Sequence, residues 1–256
     1  MSPSEYDAYA EYYDYDHDSL SELPFYLELA RECGSPILEL ACGTGRLLAP
    51  LAEAGFEMVG IDLSEAMLAV CRRKVDEKGL AGRVYLARAD IATFDLSRQD
   101  FSLAFVAFQS YMHLHTQADQ LACLARAYRH LRPGGLFVVE LFAPVFWMLA
   151  RQPDTPFAVA NEFELPNGHR VVRQNRFVRN DVVHQVLYHE LHYAEYDPSG
   201  QLVRECSVPH DVRYTFPYEL QLLLERAGFQ VIDIFGDYDR RPYDGTRDII
   251  AVARRG

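Results

Sequence analysis

Glu39-Leu40-Ala41-Cys42-Gly43-Thr44-Gly45-Arg46 is the stretch that decides the fold of this chain. It follows a short apolar run, Ile37 to Leu40, and opens a helical segment that Gly55 stops. Two glycines between a buried strand and a helix start mark a bend where φ can be positive and a ligand can reach the backbone. Strands and helices alternate downstream. Phe56 to Ile61, Val84 to Ala87, Phe101 to Phe108 and Leu136 to Leu141 read as further strands. Ser64 to Lys78 reads as a helix with Ala66, Met67, Val70 and Cys71 on one face. Thr116 and Asp119 resemble a capping box for a helix that ends at Leu131. Nearly continuous apolar strands between amphipathic helices imply a parallel sheet covered on both faces, the doubly wound α/β class.

After Pro144 the texture changes. Arg170 to Val178 and Val182 to Tyr196 are long β-type stretches, with turn signals at Asn167-Gly168 and Pro198-Ser199-Gly200. They predict an antiparallel meander inserted after the fifth strand. A helix from Tyr218 to Ala227 and two strands, Val231 to Phe235 and Ile249 to Ala253, close the core. The expected organisation is a lid and cofactor-binding core over residues 1–144, a β insert over 145–215 that roofs the substrate site, and closing elements over 216–256.

A doubly wound sheet binds its ligand at the carboxyl ends of its strands. A dinucleotide fingerprint needs a third glycine three residues after Gly45, where Leu48 stands. That argues against a pyrophosphate cradle and against a nicotinamide-dependent dehydrogenase. Glu39 just before the bend suits a cationic ligand. S-adenosylmethionine carries an ammonium and a sulfonium and no phosphate. Asp62, 19 residues beyond Gly43, ends the second strand and can accept both ribose hydroxyls, although with Glu65 it could instead form a capping box. Asp90 ends the third strand and can accept from an adenine amino group, with Ile91 packing on the ring; alone it would read as a turn aspartate.

These residues, with Leu131-Arg132-Pro133-Gly134-Gly135, resemble the class I S-adenosylmethionine-dependent methyltransferases. The resemblance runs from about Tyr6 to Leu141 and includes the closing strands. It implies a Rossmann-like, mostly parallel seven-stranded sheet that binds S-adenosyl-L-methionine and releases S-adenosyl-L-homocysteine. Ala41, Gly43 and Gly45 would line the methionine portion, with Glu39 near its ammonium. Asp62 would hold the ribose, Leu63 and Met67 would lie beside the adenine, and Asp90 and Ile91 would bind its edge. Tyr9, Tyr12 or Tyr13 would come from an N-terminal lid. Phe108-Gln109-Ser110-Tyr111-Met112-His113-Leu114 further resembles a segment of bacterial small-molecule N-methyltransferases, including those acting on deoxyamino sugars, and Gln109 joins the cofactor set on that basis.

Methyl transfer from a sulfonium is an in-line displacement, so the protein mainly positions the reactants. An amine must be neutral to attack, and His113, after the fourth strand, is the candidate base; a structural loop histidine is the competing reading, and His115 an alternative partner. Tyr13 is the second catalytic candidate, as a lid residue whose ring could meet the sulfonium. Glu140, in the fifth strand, could meet a cationic substrate or join a salt bridge. His184, Tyr188 and His192 are expected on one solvated face of an insert strand.

A net charge of −12 and the lack of a basic run lower the prior for nucleic acid, and no Asn-Pro-Pro-Tyr string follows the fourth strand. No apolar run is long enough to span a bilayer, and the acidic, tyrosine-rich start lacks the make-up of a signal peptide. Five scattered cysteines without a CxxC pair predict neither a disulfide framework nor a metal site. A cytoplasmic enzyme acting on a small molecule is expected, with no nucleic acid or membrane partner. The acceptor, N- against O-methylation and a homodimeric state stay open, as does a non-catalytic cofactor-binding role.

Overall fold

The computed structural model describes residues 6–245 and 247–256. Residues 1–5, where the expected lid region begins, lie outside it.

Seven strands form the main sheet, in the order β11-β12-β5-β4-β1-β2-β3. They are β1 (Ile37–Leu40), β2 (Met58–Asp62), β3 (Val84–Arg88), β4 (Phe101–Val106), β5 (Leu131–Phe142), β11 (Phe229–Phe235) and β12 (Asp248–Arg255). β1 pairs in parallel with both β2 and β4, and β2 with β3 and β4 with β5 are parallel too. Only β12 runs antiparallel to its neighbours, β5 and β11. Chain order reverses on either side of β1, so the crevice beyond β1 and β4 is a topological switch point.

The strands are apolar because both faces are covered. In β4 every residue is buried. Ala104 and Val106 join one core with Leu38, Leu40 and Ile61, while Leu103 and Phe105 join the opposite core with Ile37 and Met58. This follows from the period-2 alternation of strand side chains. The helix Leu48–Glu53 follows the glycine bend, and Glu65–Glu77 and Gln117–His130 follow β2 and β4. Thr116 accepts from the Asp119 amide, as the capping motif predicts. The fifth strand starts earlier than expected. Leu131 already pairs with Phe101, and Pro133-Gly134-Gly135 forms a bulge before Leu136 pairs with Leu103.

The insert is an antiparallel sheet ordered β10-β8-β7-β6, with β9 also on β8. Its strands are β6 (Ala158–Glu164), β7 (Arg170–Asp181), β8 (Val186–Tyr196), β9 (Leu202–Pro209) and β10 (Val212–Arg213). One expectation fails here. His184 does not share a strand with Tyr188 and His192. It lies in the β7–β8 turn, bonded to Asp181, where Gln185 takes φ +58°. The apolar pair Val182-Val183 disguised that turn; both residues are exposed.

A third core joins the N-terminal segment to the insert. Tyr9, Ala10 and Tyr12 pack with Met67 and Val70 of the Glu65–Glu77 helix and with Val171, Leu191 and Tyr193 of the insert. Tyr193 stacks on Tyr9 with ring centroids 5.2 Å apart. Such pairs contribute about 0.5–1.5 kcal/mol beyond their burial. Tyr6, Tyr9, Tyr13 and His17 of the N-terminal segment thus line the switch-point crevice. Among the described residues no helix is long and apolar enough to cross a membrane.

Candidate active site

The glycine bend and the acid after β2 form one unit. Gly43 takes φ +54° and Gly45 φ +77°. The Gly43 amide donates to Asp62 Oδ2 at 2.8 Å, and Asp62 Oδ1 accepts from the Ser64 amide at 2.8 Å. Ser64 is the N-cap of the following helix, accepting from the Met67 amide at 3.1 Å. The cap that competed for Asp62 is therefore supplied by its neighbour. A carboxylate offers about four lone-pair sites. Two are used by backbone amides, which leaves capacity on both oxygens.

The two glycines serve different needs. A Cβ on Gly43 would meet no protein atom within 4 Å, and Gly43 lines the crevice. A Cβ on Gly45 would stand 2.6 Å from Cys71 Sγ, so Gly45 permits helix-to-turn packing and is not on the wall. Glu39 also lies behind the wall. It is buried, its Oε2 has no partner, and burial pushes its carboxyl well above the usual range. An unsatisfied buried acceptor beside an open backbone cradle fits a ligand that carries an ammonium.

A cavity of about 560 Å³ occupies the switch point. Of the residues expected at the cofactor, Tyr9, Tyr13, Ala41, Gly43, Asp62, Leu63, Met67, Asp90, Ile91 and Gln109 line it, and so does His113. Tyr12 does not. Its hydroxyl donates to Glu195 at 2.5 Å, on the side facing the insert. Asp90 accepts from the Ala92 amide at 2.7 Å through one oxygen. Three non-glycine residues with left-handed φ also line the cavity: Ala41 (+56°), Phe108 (+51°) and Gln109 (+66°). Such residues cost about 1–3 kcal/mol each and persist where surrounding contacts hold them. Here Glu140 accepts from the Phe108 amide at 3.2 Å, and the Arg46 guanidinium covers the Phe108 ring at 4.3 Å. Glu140 therefore faces the back of this turn, with Tyr238 donating to it at 2.8 Å. Burial raises Glu140 to about 7.

Polar side chains that the sequence reading passed over line the cavity's other end. Arg173 and Asn175 occupy alternate positions of β7, and His210 follows β9. Asp16 ties this wall to the N-terminal segment. It is buried, lies 3.3 Å from Arg173, and accepts from Tyr193 and Asn161 at 2.8 Å. The only signal for this wall in the sequence was the run Val171, Arg173, Asn175, Phe177, where two polar residues interrupt an otherwise apolar face. His17, near the ring of Phe108, is another lining residue the sequence did not mark.

His113 sits among these groups with a definable tautomer. Nδ1 is 3.0 Å from the Asp211 carbonyl, which can only accept, so Nδ1 carries the hydrogen. Nε2 is then the acceptor, and the Tyr6 hydroxyl lies 2.6 Å from it. His115 Nε2 donates to the same carbonyl at 3.0 Å. Burial lowers His113 to about 4 and holds His210 well below the usual range, so both are uncharged at neutral pH.

A doubly wound sheet whose switch point offers a cleft lined by Asp62 and Asp90, with an open glycine cradle, fits the class of methyltransferases that use S-adenosyl-L-methionine. Comparison with known proteins agrees. Residues 37–135 match the family described as methyltransferase domain. The dTDP-3-amino-3,4,6-trideoxy-alpha-D-glucopyranose N,N-dimethyltransferase of Streptomyces venezuelae is 30% identical over 200 residues, 77% of this chain and 76% of that protein. The CcbJ methyltransferase of Streptomyces caelestis superposes with a TM-score of 0.81 at 27% identity, covering 100% of both chains. The sugar N-methyltransferase KedS8 of a Streptoalloteichus species gives 0.75 at 26% identity, over 96% of this chain and 92% of that one. The chain belongs to the S-adenosylmethionine-dependent methyltransferase family.

Proposed function

We propose that the enzyme methylates an amine nitrogen of a small molecule held between the cofactor cleft and the insert sheet. The carrying observation is the charge state of the far end of the cavity. His113 and His210 are kept neutral there by burial. The carboxylates on that side are already engaged, Asp16 by Arg173, Tyr193 and Asn161, and Asp119 by Thr116. The same desolvation that lowers the histidines favours the free-base amine, the form that attacks.

The cavity lining supports the following cofactor contacts. Ala41 and Gly43 would hold the methionine portion, with the unpartnered Glu39 carboxyl buried behind the bend. Asp62 would accept the ribose hydroxyls through its remaining lone pairs. Leu63, Met67, Asp90 and Ile91 would hold the adenine, and Gln109 would meet the cofactor from the strained turn. Gly45 would act by shaping the bend. Tyr9 and Tyr13 would cover the site from the N-terminal segment, the lid part of the 1–144 unit, while residues 145–215 roof the acceptor and 216–256 complete the core. When bound, S-adenosylmethionine supplies the activated methyl group.

His113 acts in this reading as an acceptor that orients the nucleophile, directly or through the Tyr6 hydroxyl. A residue lowered to about 4 stores a proton poorly but accepts a hydrogen bond well. The sugar-amine acceptors named for two of the similar proteins support nitrogen as the target. The test measures S-adenosylhomocysteine formation with panels of primary amines and phenols. Amines should turn over. His113→Ala should lower kcat by about 10²-fold while cofactor affinity stays within about threefold. Turnover of phenols alone would refute the reading.

A further inference from the structure

Glu140 is a buried carboxyl without a counter-ion, set directly behind the wall of the cofactor cleft. It stands in β5, between β4 and β12, and is 1% exposed. Both of its hydrogen-bond partners are neutral donors: the Phe108 amide at 3.2 Å on Oε2 and the Tyr238 hydroxyl at 2.8 Å on Oε1. Among the described residues no cation forms an ion pair with it. Arg46, which covers the Phe108 ring, is held by Glu22 at 2.7 Å. The charged groups that act on Glu140 are themselves acids, Asp248 at the start of β12 and Glu22 at the head of the helix Leu23–Cys33. Tyr26 of that helix also faces it, and burial keeps the Tyr26 hydroxyl neutral. A buried carboxylate without a counter-ion is costly, and burial accordingly raises Glu140 to about 7.

We propose that Glu140 is the residue by which the protein tells S-adenosylmethionine from S-adenosylhomocysteine. The two ligands differ by a methyl group and its positive charge: the first carries a sulfonium, the second a neutral thioether. Phe108 and Gln109 line the cavity, and the Phe108 amide ties their turn to the Glu140 carboxyl. A sulfonium in the cleft acts on Glu140 across this turn and needs no contact with it, because charge interactions carry over several ångströms where water is excluded. A nearby cation favours the ionised carboxylate. By linkage, the ionised carboxylate holds the sulfonium ligand more tightly. The thioether gains nothing from it. Glu140 therefore favours the methyl donor and weakens the hold on the product once the charge has left. This inference rests on the methyl-transfer reading and adds the residue that sets donor against product in the same cleft.

Calorimetric titration of the whole chain with each ligand, from about pH 5.5 to about pH 8.5, tests the proposal. The quantity to follow is the affinity for S-adenosylmethionine divided by that for S-adenosylhomocysteine. Taken relative to Glu140→Gln, this ratio should rise about tenfold across the range in wild type. The variant stays uncharged at this position and cancels the titration of the ligands' own amino groups. Tyr238→Phe removes a donor that favours the ionised carboxylate, so with it the rise should move to higher pH by about one unit. That comparison needs only wild type and Tyr238→Phe, and it stands even if Glu140→Gln does not fold. Ratios that run parallel in wild type and Glu140→Gln overturn the proposal. So does a Tyr238→Phe profile that coincides with wild type. Failure of wild type to bind either ligand at any pH would instead sink the methyl-transfer reading itself.

Discussion

The Gly43 amide donates to the Asp62 carboxylate at 2.8 Å, which locks the bend after β1 to the acid after β2. Two features 19 residues apart in the chain are therefore one connected part of the cavity wall. Ser64 extends the surface by bonding Asp62 through its amide and Asp7 through its hydroxyl at 2.5 Å. The N-terminal segment is thereby fastened to the same corner of the cavity.

Gly45 is required for packing, and its replacement should show this in stability. Gly45→Ala drives a Cβ to 2.6 Å from Cys71 Sγ at φ +77°. Overpacking and left-handed strain together should cost about 2–4 kcal/mol. Urea unfolding of Gly45→Ala, Cys71→Ala and the double variant measures the coupling. The double variant should recover more than 1 kcal/mol of the loss, because the clash partner is gone. Strict additivity would remove Cys71 as the reason for this glycine.

Glu140 should make stability depend on pH. Its folded value is about 7, against 4.5 for an ordinary glutamate. Between those values the folded chain keeps a proton that the unfolded chain releases. Its contribution is therefore present below about 4.5 and is lost as pH rises through about 7. Wild type should lose about 2–4 kcal/mol relative to Glu140→Gln across that window. Denaturation curves of both proteins at several pH values provide the check, and parallel pH profiles would contradict the assignment.

Asp16 joins the N-terminal segment to the insert sheet. Asp16→Ala removes the partner of the Arg173 charge and of the Tyr193 and Asn161 hydrogen bonds. Breaking a buried pair in this way costs about 3–5 kcal/mol. Limited proteolysis should then cut within the first 20 residues at enzyme-to-protease ratios that leave wild type intact. Asp16→Asn, which keeps an acceptor, should be cut more slowly. Equal resistance of Asp16→Ala and wild type would show that aromatic packing alone holds the N-terminal segment.

Legibility in the sequence followed the range of the interactions. The strand–bend–helix around Gly43, the acids Asp62 and Asp90 and the Thr116 cap are local patterns, and each lies where its spacing put it. Phe108 reads as the end of a strand, because no glycine announces the left-handed backbone that it and Gln109 adopt. That shape is held by Glu140, 32 residues away from Phe108. The cavity wall on the insert was the least visible part. Arg173, Asn175 and His210 come together only through β7–β8–β9 pairing and the Asp16 contact, over 150 residues of chain. Glu39 shows the reverse case. Its type and position were evident, but only the structure shows it buried behind the bend and unpartnered.

Calorimetric titration with S-adenosylhomocysteine tests the central claim most directly, because it needs no knowledge of the acceptor. Wild type should bind one equivalent. Gly43→Leu, whose Cβ would meet no protein atom within 4 Å, should fold with only modest loss of stability yet bind at least 100-fold more weakly. A Gly43→Leu protein that binds as tightly as wild type would contradict the placement of the cofactor against this bend.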